Sequence, residues 1–300
     1  EFATLSGMRY RPLGNTGLSV SAVGLGGVAL SIPATRPDQA TAIKVIHHAI
    51  DRGVTFIDTA DSYGQGEADM GHNERLFRAA LAQLPADVRA RVVVATKGGH
   101  ARPGGAWVPN GRPEYLRQQC EASLRNLGVD CLDLLQHHRP DPDVPIADSI
   151  GAYARLRDEG KVRFIGVSEY SVAQLDEAQS VTAIASTQNQ YSPAHRQPER
   201  DGTLAATAQR GLAFIPWSPL GGTGQQGAGN LARRHPDIAR LAEHRGVSPQ
   251  RLVLAWLLAK GAHVLVIVGA SRAATIEDSA RAADLDLDAG DVARIDAATA

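Results

Sequence analysis

Three short apolar segments of this chain end in polar residues that could carry out acid–base chemistry. FIDTADSYG places Asp58 inside the apolar run and Tyr63 in the loop beyond it, and VVVATKGG ends in Lys97. LLQHHRPDP supplies His137 and His138 at the end of the next run. An ammonium beside a carboxylate satisfies two charges that are costly to bury separately. The same ammonium favours a nearby phenolate, so we expect the pKa of Tyr63 to fall from about 10 toward the range useful to a general acid.

Together these groups could protonate a carbonyl oxygen while hydride arrives at the carbon, with a histidine donating to the same oxygen. Each residue also has an ordinary structural interpretation: Asp58 as a turn former, Tyr63 as a packing aromatic and His137 as a core histidine. Lys97 stands out, because lysine occurs only at positions 44, 97, 161 and 260 and is seldom buried unpaired. Because such polar residues occur at the ends of three successive segments, the functional interpretation is favoured.

The elements that must position these residues are eight apolar runs separated by longer amphipathic stretches. The runs lie at 22–27, 55–60, 92–97, 132–138, 162–169, 183–190, 212–218 and 264–270. Continuous apolar runs are typical of parallel strands buried on both faces. Strict alternation of strand and helix predicts either a closed (β/α)8 barrel or a doubly wound open sheet. In a barrel, the polar strand ends would meet at one mouth.

Helix and turn signals support this organisation. The segments 38–53 and 149–160 each end in a glycine suited to a helix C-terminus, and Ser171 with Gln174 predicts a capping box. Asn15-Thr16-Gly17 predicts an N-terminal β-hairpin that plugs the barrel bottom, and residues 288–299 predict a terminal helix. We expect one domain over residues 8–300, with 1–7 as a cloning remnant or an unstructured start.

Composition excludes several classes of function. The 300 residues carry a net charge of −1 without a basic stripe, which argues against nucleic acid or an anionic membrane as a partner. The longest apolar run, 252–259, is too short to span a bilayer. Cys120 and Cys131 suggest free thiols in a reducing cytosol, and no metal-binding motif is present. We expect a cytoplasmic enzyme that acts on a small molecule, and the sequence makes no prediction of oligomeric state.

The three chemical segments resemble those of the aldo-keto reductase superfamily in order and spacing. The resemblance runs from RPLGNTGLSVSAVGLG to VIVGASRAATIED and includes GVSE, QNQYSP and PWSPLGG. It implies a TIM barrel, a nicotinamide cofactor, a carbonyl substrate and no metal. By position, Tyr63 would be the proton donor, tuned by Lys97 and Asp58. His138 would orient the substrate carbonyl, and strand alternation gives His137 the opposite face.

The resemblance also implies a set of cofactor-binding residues. Ser168, Glu169 and Gln188 would hold the nicotinamide carboxamide, while Trp217 would stack on its ring. The pyrophosphate loop would begin at Ser218, Leu220 and Gly221. The adenosine phosphate would lie along the segment from Gly269 to Ser279, at a helix N-terminus that favours anions; its binding residues would be Gly269, Ser271, Arg272, Thr275 and Asp278.

NADPH is favoured over NADH because Arg272 could bind the 2′-phosphate through a charge-assisted contact. Asp278 would suit the adenine amino group. The sequence departs from the family at three positions. Glu169 stands where many members have Asn, which matches a branch that includes pyridoxal reductases. Thr275 and Ser279 stand where many members have Arg and Asn.

The sequence also contains candidate substrate-pocket residues and two glycine-rich patterns. Trp107 and His100 are candidate substrate walls, with Tyr191 and His195 as further pocket residues. The patterns GLGGVA (24–29) and GTGQQG (222–227) both fit a dinucleotide fingerprint, but neither opens directly into a helix. We interpret both as loops, the second as a mobile one that could fold over the cofactor.

Two alternative functions remain open. A lyase or aldolase would use Lys97 to form a Schiff base with a carbonyl substrate, although an aspartate partner keeps the lysine protonated and a poor nucleophile. A cofactor-binding regulatory subunit with weak activity is also compatible with the family, which includes channel-associated subunits. The complete set of Asp58, Tyr63, Lys97 and His138 favours the reductase.

Overall fold

The computed structural model describes residues 7–222 and 227–299. The strands are β1 Tyr10–Pro12, β2 Ser19–Ser21, β3 Val23–Gly26, β4 Phe56–Asp58, β5 Val93–Gly98, β6 His100–Ala101, β7 Val108–Pro109, β8 Leu132–His137, β9 Val162–Ser168, β10 Ser186–Gln188, β11 Ala213–Phe214 and β12 Val266–Gly269. The helices are α1 Gln39–Asp51, α2 His72–Leu81, α3 Ala86–Arg89, α4 Pro113–Leu127, α5 Ile146–Asp158, α6 Val172–Val181, α7 Gln197–Arg200, α8 Thr203–Gln209, α9 Leu231–Arg234, α10 Pro236–His244, α11 Pro249–Ala259, α12 Ala273–Ala280 and α13 Ala289–Ala297.

Two sequence-based predictions fall largely outside these residues. The glycine-rich segment 222–227 is described only at its two ends, and the segment 1–7 only at Gly7.

Eight parallel strands form the barrel in the order β11-β10-β9-β8-β5-β4-β3-β12. The two ends of this series meet where Phe214 pairs with Val264, and Phe214 donates its N–H to the His263 carbonyl at 2.9 Å. The predicted (β/α)8 barrel is therefore confirmed, and all eight predicted runs contain a strand. Most strands are shorter than predicted. In the seventh run Pro216 has no N–H to give to the ladder, and β11 ends at Phe214.

Alternation along the strands fills the barrel interior in layers. The lower layer is apolar and combines side chains of several strands, Phe56, Ala95, Leu134 and Ala213, with Leu265 just before β12. Two residues further along β4, β5 and β8 lie Asp58, Lys97 and Gln136, which form a polar layer above it. The strand register therefore explains why unusual polar residues collect at the carboxyl ends of the strands.

The predicted start and stop signals are present. Ser171 and Gln174 form a capping box at α6, and Asp38 caps α1 by accepting the N–H of Thr41 at 2.8 Å. Gly53 and Gly160 follow α1 and α5 with φ of 84° and 76°, the left-handed conformation that ends many helices.

The predicted N-terminal hairpin is confirmed as the antiparallel pair β1–β2. Leu13 and Val20 of this hairpin are fully buried and pack into the apolar layer of the interior, so the hairpin covers the barrel bottom. Two larger apolar clusters lie between the strands and the surrounding helices. None of the helices within the described ranges is long and apolar enough to cross a membrane. The same residues contain no group of three metal-binding side chains.

Candidate active site

Lys97 lies at the centre of the polar layer. It belongs to β5, and its side chain and that of Asp58 are each only 1% exposed. The Lys97 ammonium donates to the Asp58 carboxylate, to the Thr59 carbonyl at 3.0 Å and to the Tyr63 hydroxyl at 3.0 Å. All three N–H donors are therefore used, and the ammonium is fixed in one position relative to the phenol. The structure brings together the three residues that the sequence singled out.

Asp58 is held from two further strands. Its Oδ2 accepts the side-chain amides of Gln136, at 3.0 Å, and of Gln188, at 2.8 Å. Gly166 makes room for this contact, because a Cβ there would lie 2.8 Å from the Gln136 side chain. Sequence reasoning missed Gln136, although it occupies an inward position two residues before His138. Gln188 was predicted to hold the nicotinamide carboxamide; in the structure its side-chain amide donates to Asp58 and orients it.

The pKa of Tyr63 is raised above its usual 10, which is opposite to the predicted direction. Burial is the largest cause, since Tyr63 is only 9% exposed and a phenolate there would lose its hydration. Lys97 lowers the pKa but does not offset burial, and the Asp58 carboxylate raises it further. The prediction was wrong because it counted the ammonium without the burial and the counter-charge. Tyr63 is consequently a neutral phenol at pH 7.

The pKa of Lys97 is raised as well. Burial alone would lower it, but Asp58 and then Tyr63 outweigh that effect because both lie in direct contact with the ammonium. Lys97 therefore stays charged throughout the neutral range. A permanent cation 3.0 Å from the Tyr63 oxygen is the group that would stabilise a phenolate formed in a reaction.

The two adjacent histidines point in opposite directions, as strand alternation predicts. The ring of His138 lies 5.8 Å from the Tyr63 ring and 4.3 Å from that of His100, edge to face. His137 faces the outer helices, where its Nδ1 lies 2.7 Å from the Tyr170 hydroxyl. Burial, together with His100 and Lys97, holds the pKa of His138 well below its usual range. His138 is therefore a neutral imidazole next to the phenol.

The two predicted substrate walls lie beside these groups. The Trp107 ring lies 6.2 Å from the Tyr63 ring, 5.7 Å from that of His100 and 6.3 Å from that of His138, and Trp107 is 44% exposed. Burial lowers the pKa of His100 to about 4, so it is also neutral. Trp107 immediately precedes β7, whose pairing with β6 holds the loop over the barrel mouth. The result is an aromatic rim with the Tyr63 hydroxyl at its base.

Two strained residues stand on the other side of the mouth. Of the described residues, only Glu169 and Ser218 combine a side chain with positive φ, at 58° and 49°. Glu169 Oε1 accepts the indole N–H of Trp217 at 2.5 Å and the backbone N–H of Gln190 at 2.6 Å. Such strain persists only where surrounding contacts enforce it, and it is concentrated at functional sites. Both residues belong to the predicted cofactor set.

Ser168 and Arg139 connect this side to the histidines. The Ser168 hydroxyl donates to the Gln188 carbonyl at 2.8 Å and accepts a guanidinium N–H of Arg139 at 2.8 Å. The guanidinium also lies 5.2 Å from the centre of the half-buried Trp217 ring. Sequence reasoning missed Arg139, although it directly follows His138. The arrangement fixes Ser168 and Trp217 relative to the acid–base residues.

The predicted adenosine segment follows β12. Ser271 precedes Arg272, which is exposed at the N-terminus of α12. Asp278, predicted to meet the adenine amino group, is bound by the side chains of Ser248 and Arg251. In this structure its carboxylate therefore ties α12 to α11. Gly269 is exposed at the end of β12 and Thr275 is half-buried in the first turn of α12.

The start of the predicted pyrophosphate loop is also described. Gly221 adopts φ of 91° and donates its N–H to the Ser218 carbonyl at 2.9 Å, which forms a tight turn directly after Trp217. Leu220, inside this turn, packs partly against the core between strands and helices.

The chain is similar to known proteins over most of its length. The model of the aldo/keto reductase family matches residues 22–300. An uncharacterized oxidoreductase of Schizosaccharomyces pombe is 34% identical over 260 residues, which is 86% of this chain and 79% of that protein.

Two solved structures share the fold. A thermostable aldo-keto reductase in complex with the inhibitor epalrestat is 28% identical, with a TM-score of 0.82 over 97% of this chain and 100% of that one. The glycerol dehydrogenase of Gluconobacter oxydans, at 24% identity, has a TM-score of 0.83 over 96% of this chain and 94% of that one. The family match over nearly the whole chain, together with the yeast relative, shows that this protein belongs to the aldo/keto reductase family.

Proposed function

We propose that this protein reduces an aldehyde or ketone with NADPH, and that Tyr63 is the general acid. The observation that carries the proposal is the contact at 3.0 Å between the buried Lys97 ammonium and the Tyr63 hydroxyl, with Asp58 as the counter-charge. Family membership and the oxidoreductase relative support carbonyl reduction as the general activity. Tyr63 is a neutral phenol at pH 7, as a proton donor must be. Because burial raises its pKa, the adjacent Lys97 ammonium has to stabilise the phenolate as it forms.

The proton would pass from the Tyr63 hydroxyl to the carbonyl oxygen of the substrate. The phenolate left behind would face the Lys97 ammonium, so the opposite charge is in place before the step begins. The neutral His138 ring could donate an N–H to the same oxygen and orient it. Burial of the three groups excludes water, which strengthens these interactions. General acid catalysis of this kind contributes roughly 10²–10⁴-fold to a rate.

The residues near Trp217 fit a nicotinamide ring. Trp217 is half-buried and is fixed by its N–H bond to Glu169, so one face can pack against a planar ring. Ser168 offers a hydroxyl and Gln188 an amide at the level of the acid–base groups. The bound cofactor would supply the hydride. Arg272, exposed at the N-terminus of α12, would bind the 2′-phosphate and favour NADPH over NADH.

The Schiff-base alternative is disfavoured by the geometry of Lys97. Its ammonium uses its donors on Asp58, Thr59 and Tyr63, and its pKa is raised rather than lowered. An amine nucleophile needs the opposite shift. We further propose that residues 8–300 act as one domain, because β12 pairs with β3 from the opposite end of the chain.

Substitution of Tyr63 by phenylalanine tests the proposal. The Tyr63→Phe variant should lose most of kcat with NADPH and an aromatic aldehyde, by about 10²-fold or more, because it removes the hydroxyl that carries the transferable proton and keeps the ring. Binding of NADPH, followed by fluorescence titration, should stay unchanged. Tyr10→Phe is the matched control, since Tyr10 is 50% exposed on the barrel bottom. A Tyr63→Phe variant with kcat within threefold of the wild type would rule out Tyr63 as the acid.

A further inference from the structure

Arg102 is almost completely buried beside the site, at 5% exposure, in the loop between β6 and β7. One terminal nitrogen donates to the Ser62 carbonyl at 2.7 Å and to the Gly64 carbonyl at 3.4 Å. Nε and the other terminal nitrogen donate to the Gly105 carbonyl, at 3.3 Å and 3.0 Å. The centre of the guanidinium lies 3.7 Å from the centre of the Trp107 ring.

These contacts differ from those of an ordinary structural arginine. Within residues 7–222 and 227–299, every hydrogen bond of the guanidinium goes to a backbone carbonyl, so carbonyl dipoles and an aromatic face surround its charge. A planar guanidinium can satisfy several carbonyls while stacking on an aromatic ring, and an ammonium cannot do both. The glycine backbone assists, because Gly105 adopts φ of 86° with its carbonyl turned toward Arg102.

The bonded carbonyls belong to two loops that both reach the mouth. Ser62 and Gly64 are the immediate neighbours of Tyr63 in the loop after β4. Gly105 lies two residues before Trp107 in the loop between β6 and β7. The backbone on each side of Tyr63 is thus tied by one side chain to the loop that carries the aromatic rim.

We propose that Arg102 is the positioning residue that sets Tyr63 and Trp107 relative to each other, and through Trp107 selects planar aromatic carbonyl substrates. Its catalytic consequence rests on the proposed function, whereas its positional consequence does not. Arg102 fixes the peptide on both sides of Tyr63, and with it the direction in which the hydroxyl is presented. It also supports one face of Trp107, which leaves the exposed part of that ring available to a flat substrate.

Small displacements at such a site have large effects on rate. A misplacement of about 1 Å at the reacting groups can reduce a rate by about 10²-fold. Loss of Arg102 should therefore reduce kcat with every aldehyde, through Tyr63. It should raise KM mainly for aromatic aldehydes, through Trp107. Loss of a residue needed only for stability would lower the melting temperature. It would not lower kcat for every aldehyde while raising KM mainly for aromatic ones.

The test compares Arg102→Met and Arg102→Lys with Arg117→Met. Methionine keeps the apolar stem, lysine keeps the charge, and Arg117 is a control because it forms an exposed ion pair with Glu159. Hydrogen–deuterium exchange should become faster in peptides covering 59–66 and 102–109 of both Arg102 variants. Exchange in the peptides of β8 and β9 should stay at the wild-type rate. This measurement needs no turnover, so it decides the positional claim even if the wild type reduces no aldehyde.

Kinetics with benzaldehyde and propanal test the consequence for substrates. In Arg102→Met we expect kcat to fall by about 10- to 100-fold with both, and KM to rise by at least threefold for benzaldehyde alone. Arg102→Lys should be intermediate, while Arg117→Met should match the wild type. The proposal is overturned if exchange in the two loop peptides does not change, or if it rises while kcat stays within twofold of the wild type. It is equally overturned if KM rises by the same factor for both aldehydes.

Discussion

Substituting both members of the buried Asp58–Lys97 pair should cost far less stability than the sum of the two single substitutions. Asp58→Asn leaves the Lys97 ammonium buried without a counter-charge. It also presents an amide N–H₂ to a site where Lys97, Gln136 and Gln188 all donate. Lys97→Met removes the cation and leaves the Asp58 carboxylate in the same dry layer. In both single variants the structure retains one uncompensated buried charge.

The magnitudes follow from that geometry. Breaking a buried ion pair on one side costs about 3–5 kcal/mol, whereas replacing both partners by neutral groups is often close to neutral. For a chain of 300 residues, each single variant should therefore melt roughly 5–8 °C below the wild type. The double variant should cost at least about 1.5 kcal/mol less than the sum. The assay is thermal unfolding at pH 7, monitored by circular dichroism and by calorimetry.

The exposed pair Arg117–Glu159 provides the control cycle, because its side chains are both 39% exposed. Exposed pairs contribute only about 0–1 kcal/mol, so Arg117→Met and Glu159→Gln should each change stability little. Our account of the polar layer would be refuted if the Asp58 and Lys97 substitutions added within about 0.5 kcal/mol. It would also be refuted if either single variant were as stable as the control variants.

Two further predictions concern pH and the cofactor. In the folded protein the pKa of His100 is about 4, below its ordinary value of 6.5, so the unfolded chain is protonated at this residue first as the pH falls. The stability that the neutral His100 contributes should therefore be complete above pH 6.5 and be lost as the pH falls toward 4. The melting temperature should fall less steeply between pH 7 and pH 4 in His100→Gln than in the wild type. If His100→Gln showed the same dependence of melting temperature on pH as the exposed control His244→Gln, the prediction would be contradicted. Arg272→Ala should weaken the binding free energy of NADPH by about 1–3 kcal/mol more than that of NADH, as measured by titration calorimetry. The control Arg240→Ala should leave the binding of both cofactors unchanged. Equal weakening of both cofactors in Arg272→Ala would reject the 2′-phosphate role.

The sequence was most informative where polar residues interrupt apolar strands. Asp58 and Lys97 could be placed together because parallel strands end at the same mouth and alternation fixes which side chains point inward. The same rule gave His137 and His138 opposite faces, and the resemblance to the family selected His138. The capping box at Ser171 was equally readable, because local hydrogen bonds determine it. These predictions depend only on regular strand geometry or on one turn of helix.

What could not be predicted depends on how loops cover the strand ends. The direction of the pKa shift of Tyr63 required its burial, which the loops after β4 and β6 provide. Arg102 carries no sequence signal, because its partners are backbone carbonyls of two separate loops. Gln136 did have a signal, since it is a polar residue in an inward register within an apolar strand.

Glu169 shows how a single departure from the family pattern is built into the fold. A carboxylate at this position meets two N–H donors from different loops, the indole of Trp217 and the backbone of Gln190. Both bonds are charge-assisted and therefore stronger than the neutral bonds that an amide oxygen would accept. They offset the cost of positive φ at Glu169, and they lock Trp217 beside Ser218, the other strained residue. Glu169 thus holds in place the ring on which the nicotinamide would pack.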